Sequence, residues 1–134
     1  GYGPTLLAAL EFIACLYGAA VEGDSVFFGA SRQPFDSEYT QHMRGSDYTL
    51  IRRGGQAVAL RNGVEIFRAT QGVRVKTDLT GRVEAIYGMA DAPFALTFAA
   101  EGREMRAQIH PNEELRPEGG ALRSVRRVPF LVRE

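Results

Sequence analysis

The N-terminal part of the chain is apolar with helical spacing. Between residues 4 and 18 the only charged side chain is Glu11, and a projection at about 100° per residue gives a helix that is apolar on nearly all sides. Gly3-Pro4-Thr5 suits a helix start, and Gly18 ends the apolar run. One sheet can cover one face of such a helix. The pattern therefore predicts a buried helix over residues 4–18, with another domain or chain against its remaining surface.

After Gly18 the pattern changes to short apolar runs separated by turn residues. Asn62-Gly63, between two such runs, is a strong hairpin signal because both residues tolerate positive φ. Residues 73–79 and 103–110 alternate between apolar and polar side chains, as strands with one buried face do. The pattern predicts strands at 25–29, 38–44, 48–53, 56–61, 64–70, 73–79, 82–87, 94–99, 103–110 and 125–132, and a loop over 111–120.

These elements define the expected fold class. Turns recur with no second helix between the strands, which favours antiparallel pairing over a parallel sheet. We predict a mainly β protein, an antiparallel β-sandwich or meander of about 8–10 strands with one buried N-terminal helix. The chain is expected to form a single domain over residues 1–134, with the helix at 4–18 and the antiparallel β-domain at 25–133.

Composition and charge narrow the classes of partner. Of the 134 residues, 45% are hydrophobic and 24% charged, as in globular domains. Sixteen basic residues balance sixteen acidic ones, so the broad positive field that nucleic-acid binding needs is missing. The apolar stretch at 5–21 has no basic residue before it and is short for a membrane span of about 20 apolar residues. We expect neither nucleic acid nor membrane as a partner, while the location, cytoplasmic or periplasmic, stays open.

The polar residues form no catalytic or metal-binding motif. The single cysteine, Cys15, lies in the apolar run, and His42 and His110 are far apart in sequence. No serine lies in a nucleophile-elbow pattern. Glu113-Glu114 lie in the stretch predicted to be loop, where carboxylates are expected to face water. The sequence therefore predicts no catalytic residue, no metal and no cofactor in this chain.

One combination of features resembles a known architecture. Gly3-Pro4-Thr5-Leu6-Leu7 opens an apolar helix that ends at Tyr17-Gly18, and hairpins follow from Tyr48 to Ile109. Residues 75–81, then Val83, and Pro111-Asn112-Glu113 add to the likeness. The arrangement resembles the C-terminal region of the toroidal (α/α) carbohydrate-active enzymes, glycoside hydrolases and polysaccharide lyases in which the last toroid helix leads into a β-sandwich. The chain has no Trp, which sugar sites commonly use.

The resemblance implies a non-catalytic accessory β-domain, the C-terminal part of a larger enzyme whose catalytic acids lie upstream. It implies that Tyr2 and Thr5 border the substrate cleft. A stand-alone secreted or periplasmic binding or assembly module that dimerises through its helix is the main alternative, and a small β-barrel enzyme or ligand carrier is a third. The residues expected at the interface with a partner domain are Leu6, Leu7, Leu10, Phe12 and Ile13.

Overall fold

The computed structural model describes residues 18–127 of the chain. This range contains twelve strands and no helix. The strands are β1 (Ala19–Glu22), β2 (Ser25–Ala30), β3 (Ser37–Met43), β4 (Ser46–Arg53), β5 (Gln56–Arg61), β6 (Val64–Thr70), β7 (Val73–Asp78), β8 (Val83–Gly88), β9 (Phe94–Ala100), β10 (Arg103–Ile109), β11 (Glu113–Glu118) and β12 (Ala121–Arg127).

The strands form two six-stranded sheets in which every pairing is antiparallel. The hairpin sheet has the order β1-β2-β7-β8-β11-β12 and consists of three successive hairpins. The meander sheet has the order β10-β9-β6-β5-β4-β3. The predicted mainly β, antiparallel class is confirmed, with more strands in the described range than the sequence pattern indicated.

The core lies between the two sheets. Phe28 on the hairpin sheet meets Phe67 on the meander sheet edge to face, with ring centroids 5.4 Å apart. Phe67 in turn stacks on Phe98 at 5.5 Å. Tyr48 packs against Phe28, and its hydroxyl donates to the Leu79 carbonyl oxygen at 2.8 Å, so its one polar group is satisfied inside the core. Alternation along each strand thus brings the apolar faces of both sheets together.

Tight turns join most neighbouring strands. Asn62 and Gly63 both have positive φ, 51° and 80°, as the predicted hairpin requires. Positive φ at both central residues also occurs at 44–45, 54–55, 101–102 and 119–120, the signature of the type I′ turn. Because the twist of this turn matches that of the strands, two residues suffice to reverse the chain.

The two ends of the molecule differ in how they connect strands. At one end, the turn end, the chain only reverses within a sheet, at 23–24, 44–45, 62–63, 79–82, 101–102 and 119–120. At the other, the crossover end, it passes between sheets at 31–36, 71–72, 89–93 and 110–112, and reverses within the meander sheet only at 54–55. Strand β1 begins at the crossover end and β12 finishes there. Segments attached to either strand therefore leave the fold on the same side.

One prediction about local structure was wrong, and one strand was not predicted. The segment 111–120 was expected to be loop, but Glu113–Glu118 forms β11, and Gly119-Gly120 is a hairpin turn into β12. Pro117 is tolerated because β8 pairs with β11 only at Glu114 and Leu115, so no third strand needs an N–H at Pro117. The short strand β1 was not predicted. The helix predicted over 4–18 lies, apart from Gly18, outside the described residues.

Candidate functional site

Polar side chains organise the crossover end. Gln71, 4% exposed, accepts a hydrogen bond from the Gln33 backbone N–H at 3.1 Å through its side-chain oxygen. Its side-chain nitrogen donates to the Gln56 carbonyl oxygen at 2.9 Å. A single buried amide thereby joins the β2–β3 crossover to the start of β5. On the same crossover, the Arg32 guanidinium lies over the Phe94 ring, 4.6 Å from its centroid.

A three-residue polar cluster lies beside the β10–β11 connection. Glu113 Oε1 accepts hydrogen bonds from the His110 backbone N–H at 3.0 Å and lies 3.2 Å from His110 Nδ1. The Ser124 hydroxyl donates to Glu113 Oε2 at 2.7 Å. Burial raises the pKa of Glu113, but the hydrogen bonds from Ser124 and His110 outweigh it, so this pKa lies below its ordinary value of 4.5. The carboxylate is therefore held in its ionised form.

The order of these three groups decides what they can do. In a nucleophilic triad the imidazole lies between the hydroxyl and the carboxylate and takes the proton of the hydroxyl. Here the carboxylate lies in the middle and accepts from Ser124 directly. His110 is engaged through Nδ1, and its side chain is 37% exposed. The cluster fixes the turn between β10 and β11 and orients one imidazole, without activating the serine.

Cations and aromatic rings alternate on the outer face of the hairpin sheet. Arg74 lies 4.6 Å from the Phe27 ring centroid and 5.2 Å from that of Tyr87. Register explains the grouping, because Arg74 pairs with Tyr87 across β7 and β8, and Phe27 lies one row away on β2. A guanidinium between two rings is held by cation–π attraction while its stem covers the sheet. This group forms one side of the face.

The other side of the same face holds a buried carboxylate. Glu114 is fully buried, and its Oε2 accepts from Arg116 Nε at 2.8 Å. Arg116 also lines an open polar groove of about 370 Å³ that contains cations from three different segments of the chain. Its lining residues are Lys76, Asp78, Arg82, Val83, Glu84, Ala85, Tyr87 and Arg116. This groove can accept hydrogen-bonding, charged groups.

The expectation that Glu113 and Glu114 face water was wrong. Glu113 is 9% exposed and Glu114 0%, because both lie on a strand between β8 and β12 rather than in a loop. The Gly119-Gly120 doublet was the available sequence signal, since two glycines between short runs are a hairpin signature. Pro117 in the preceding run argued against a strand and concealed it.

The residues predicted to contact substrate or a partner domain lie outside the described residues. These are Tyr2 and Thr5 for the substrate cleft, and Leu6, Leu7, Leu10, Phe12 and Ile13 for the partner interface. Among residues 18–127, no group of three or more His, Cys, Asp or Glu side chains could hold a metal ion. In the same range no helix is long and apolar enough to cross a membrane.

No protein-family model, curated protein or solved structure matches the chain.

Proposed function

We propose that this chain is a non-catalytic accessory β-sandwich domain, the C-terminal part of a larger carbohydrate-active enzyme. The observation that carries the proposal is the position of β1 and β12, which begin and finish at the crossover end. Flanking segments would then join the fold on one side, where an appended domain packs against its neighbour. The opposite end consists of tight turns that make no connection between the sheets.

The chemistry of the described surface supports this role. The Ser124–Glu113–His110 order leaves the hydroxyl without an imidazole base. The groove on the hairpin sheet offers Lys76, Arg82 and Arg116 at positions where hydroxyl or carboxylate groups of a saccharide could be bound. In this proposal the catalytic acids lie in the larger enzyme, Tyr2 and Thr5 border its cleft, and the apolar residues between Leu6 and Ile13 contact its catalytic domain.

The size of the native polypeptide tests the proposal. An antibody raised against the 134-residue chain would be used on extracts of the source cells, and the detected band compared with the 14.7 kDa of this chain. We expect a band several times larger. Immunoprecipitated material should then cleave at least one member of a panel of neutral and acidic polysaccharides. A native band at 14.7 kDa would contradict the proposal and favour a stand-alone module.

The stand-alone module that dimerises remains the second candidate. One feature of residues 18–127, the outer side of edge strand β3 on which no other described strand pairs, favours self-association.

A further inference from the structure

Strand β3 is one of the two edges of the meander sheet, and it differs from the other three edge strands of the described fold. It has seven residues, Ser37–Met43, in an uninterrupted register with β4. Strand β1 has only four residues, and β12 is broken by a register shift. Strand β10 carries the Glu104–Arg106 ion pair. Short length, bulges and charges protect edges from pairing with other chains. Strand β3 has no bulge, Pro, Lys or Arg, and Glu38 is its only Asp or Glu, whereas β10 carries three charged residues.

The hydrogen-bonding pattern shows which backbone groups of β3 face outward. The two-residue turn at 44–45 places Met43 and Ser46 in a hydrogen-bonded pair, so alternate residues back to Ser37 bond to β4. The Asp47 carbonyl confirms which residues bond to which side, because it accepts a hydrogen bond from the Asn62 N–H of the β5–β6 turn, on the side of β4 away from β3. The N–H and C=O groups of Glu38, Thr40 and His42 therefore point away from the sheet.

Side-chain contacts agree with this assignment. Residues opposite each other in non-hydrogen-bonded pairs lie closest. Thr40 Oγ1 is 2.9 Å from Thr49 Oγ1, and His42 Nδ1 is 2.8 Å from Asp47 Oδ1, both across β3 and β4. The His42 side chain is nevertheless 70% exposed, and Tyr39 is 37% exposed. The strand thus presents a regular ladder of backbone groups together with accessible side chains.

The sequence of β3 is complementary to itself when reversed about Thr40. In that arrangement Thr40 lies opposite Thr40 of the partner subunit, Glu38 opposite the partner's His42, and Tyr39 opposite the partner's Gln41. The outward backbone N–H and C=O groups of Glu38, Thr40 and His42 then form hydrogen bonds with the same groups of the second copy, in a twofold-symmetric ladder. The acidic Glu38 meets an imidazole, and Thr–Thr pairs across strands are favourable.

We propose that the chain forms a twofold homodimer in which β3 pairs antiparallel with β3 of a second copy, with the axis at Thr40. The two meander sheets then become one continuous sheet of twelve strands, counted over the described residues of both copies. The inference is independent of the proposed enzyme context, because it rests only on the edge of the meander sheet.

Thr40→Pro tests the pairing while leaving the backbone hydrogen bonds between β3 and β4 in place, although it removes the side-chain contact with Thr49. Proline removes the outward N–H of Thr40, and edge strands tolerate it. The matched control is Gln108→Pro on β10, whose N–H also points outward because the turn at 101–102 pairs Ala100 with Arg103. Analytical ultracentrifugation of the whole chain should show a dimer of twice 14.7 kDa for the wild type and the control. For Thr40→Pro the dissociation constant should rise at least about tenfold.

Far-ultraviolet circular dichroism should confirm that all three proteins are folded. A wild type that stays monomeric at about 200 µM, well above the micromolar range of weak interfaces, overturns the proposal. A folded Thr40→Pro chain that dimerises as well as the wild type overturns it too.

A cysteine at the axis tests the register. Directly opposite residues in a hydrogen-bonded pair have Cα atoms about 5.5 Å apart, within disulfide range. In a Cys15→Ser background, Thr40→Cys should form a cross-linked dimer on mild oxidation, whereas Gln108→Cys should dimerise without forming a cross-link. A Thr40→Cys chain that dimerises without cross-linking would overturn the axis position.

Discussion

At the scale of single residues, Gly88 at the end of β8 lies directly against the backbone of the β10–β11 connection. A Cβ built on Gly88 would lie 2.2 Å from the His110 carbonyl oxygen, a backbone atom with little room to move. The same glycine accepts a hydrogen bond from the Asn112 N–H at 3.0 Å. Glycine is needed at position 88 because it has no side chain, not because of an unusual φ. The missing side chain lets the β10–β11 crossover lie directly on the hairpin sheet.

We therefore expect Gly88→Ala to lower the free energy of unfolding by about 2–3 kcal/mol, because the backbone must separate to admit the methyl group. Urea denaturation would measure it. Gly102→Ala is the control: it has φ of 73° but nothing near its Cβ position, so it should cost only about 1 kcal/mol of conformational strain. Equal losses in the two variants would contradict the steric explanation.

The contacts of individual polar residues were the least predictable from the sequence. Nothing in the spacing of His110, Glu113 and Ser124 indicates that they meet, because Ser124 comes from a different strand and reaches Glu113 only when β11 and β12 pair. The buried position of Glu114 depends in the same way on its neighbours in the sheet. Periodicity assigns a face to a residue and cannot say what covers that face.

At the scale of elements, hairpins were predictable where the turn residues carried the signal. Asn62, Gly63 and Gly102 suit the positive φ that their turns adopt, and β10, beside the second turn, alternates between buried and exposed residues along most of its length. Strand β11 escaped prediction because Pro117 and the charged residues around it resemble a loop. It is held as a strand by its neighbours and by the Glu113 cluster, which anchors its first residue to His110.

This anchor should make the β10–β11 element sensitive to acid. Because the pKa of Glu113 is lowered in the folded state, its stabilising contribution is complete above the ordinary value of 4.5 and is lost as pH falls through the folded-state pKa. Glu113→Gln should lower the free energy of unfolding at pH 7 by about 1–2 kcal/mol, since charge-assisted hydrogen bonds are lost.

The pH profile distinguishes this effect from a simple loss of packing. The difference between Glu113→Gln and wild type should shrink as pH falls below 4.5, when the wild-type carboxylate is protonated as well. Thermal unfolding at a series of pH values would measure it. Glu104→Gln, at a solvent-exposed ion pair with Arg106, should follow the wild-type profile within about 0.5 kcal/mol. A pH-independent difference for Glu113→Gln would count against the charge-based account.

At the scale of the whole molecule, strand alternation predicted antiparallel sheets but not their order. The strand order depends on which connections pass from one sheet to the other. Some of these connections, such as 71–72, are as short as the hairpin turns. Local sequence cannot distinguish a reversal within a sheet from a passage between sheets, because both need the same turn residues.

A substitution in the N-terminal apolar segment tests whether it serves a partner or this domain. If Leu10 contacts another domain, Leu10→Asp should change the melting temperature of the 134-residue chain by less than about 2 °C. Leu50→Asp, at a core position that is 0% exposed, should abolish folding and is the positive control. A large loss of stability in Leu10→Asp would mean that the segment completes the core of this domain instead.

The common location of the β1 start and the β12 finish has a mechanical consequence. A pull applied through these two points loads the first backbone hydrogen bonds between β1 and β2, and between β11 and β12, before the others in each ladder. The bonds then break one after another, as in opening a zipper, instead of sharing the load in shear. The fold should yield at low force when stretched by its ends, while remaining thermodynamically stable at rest.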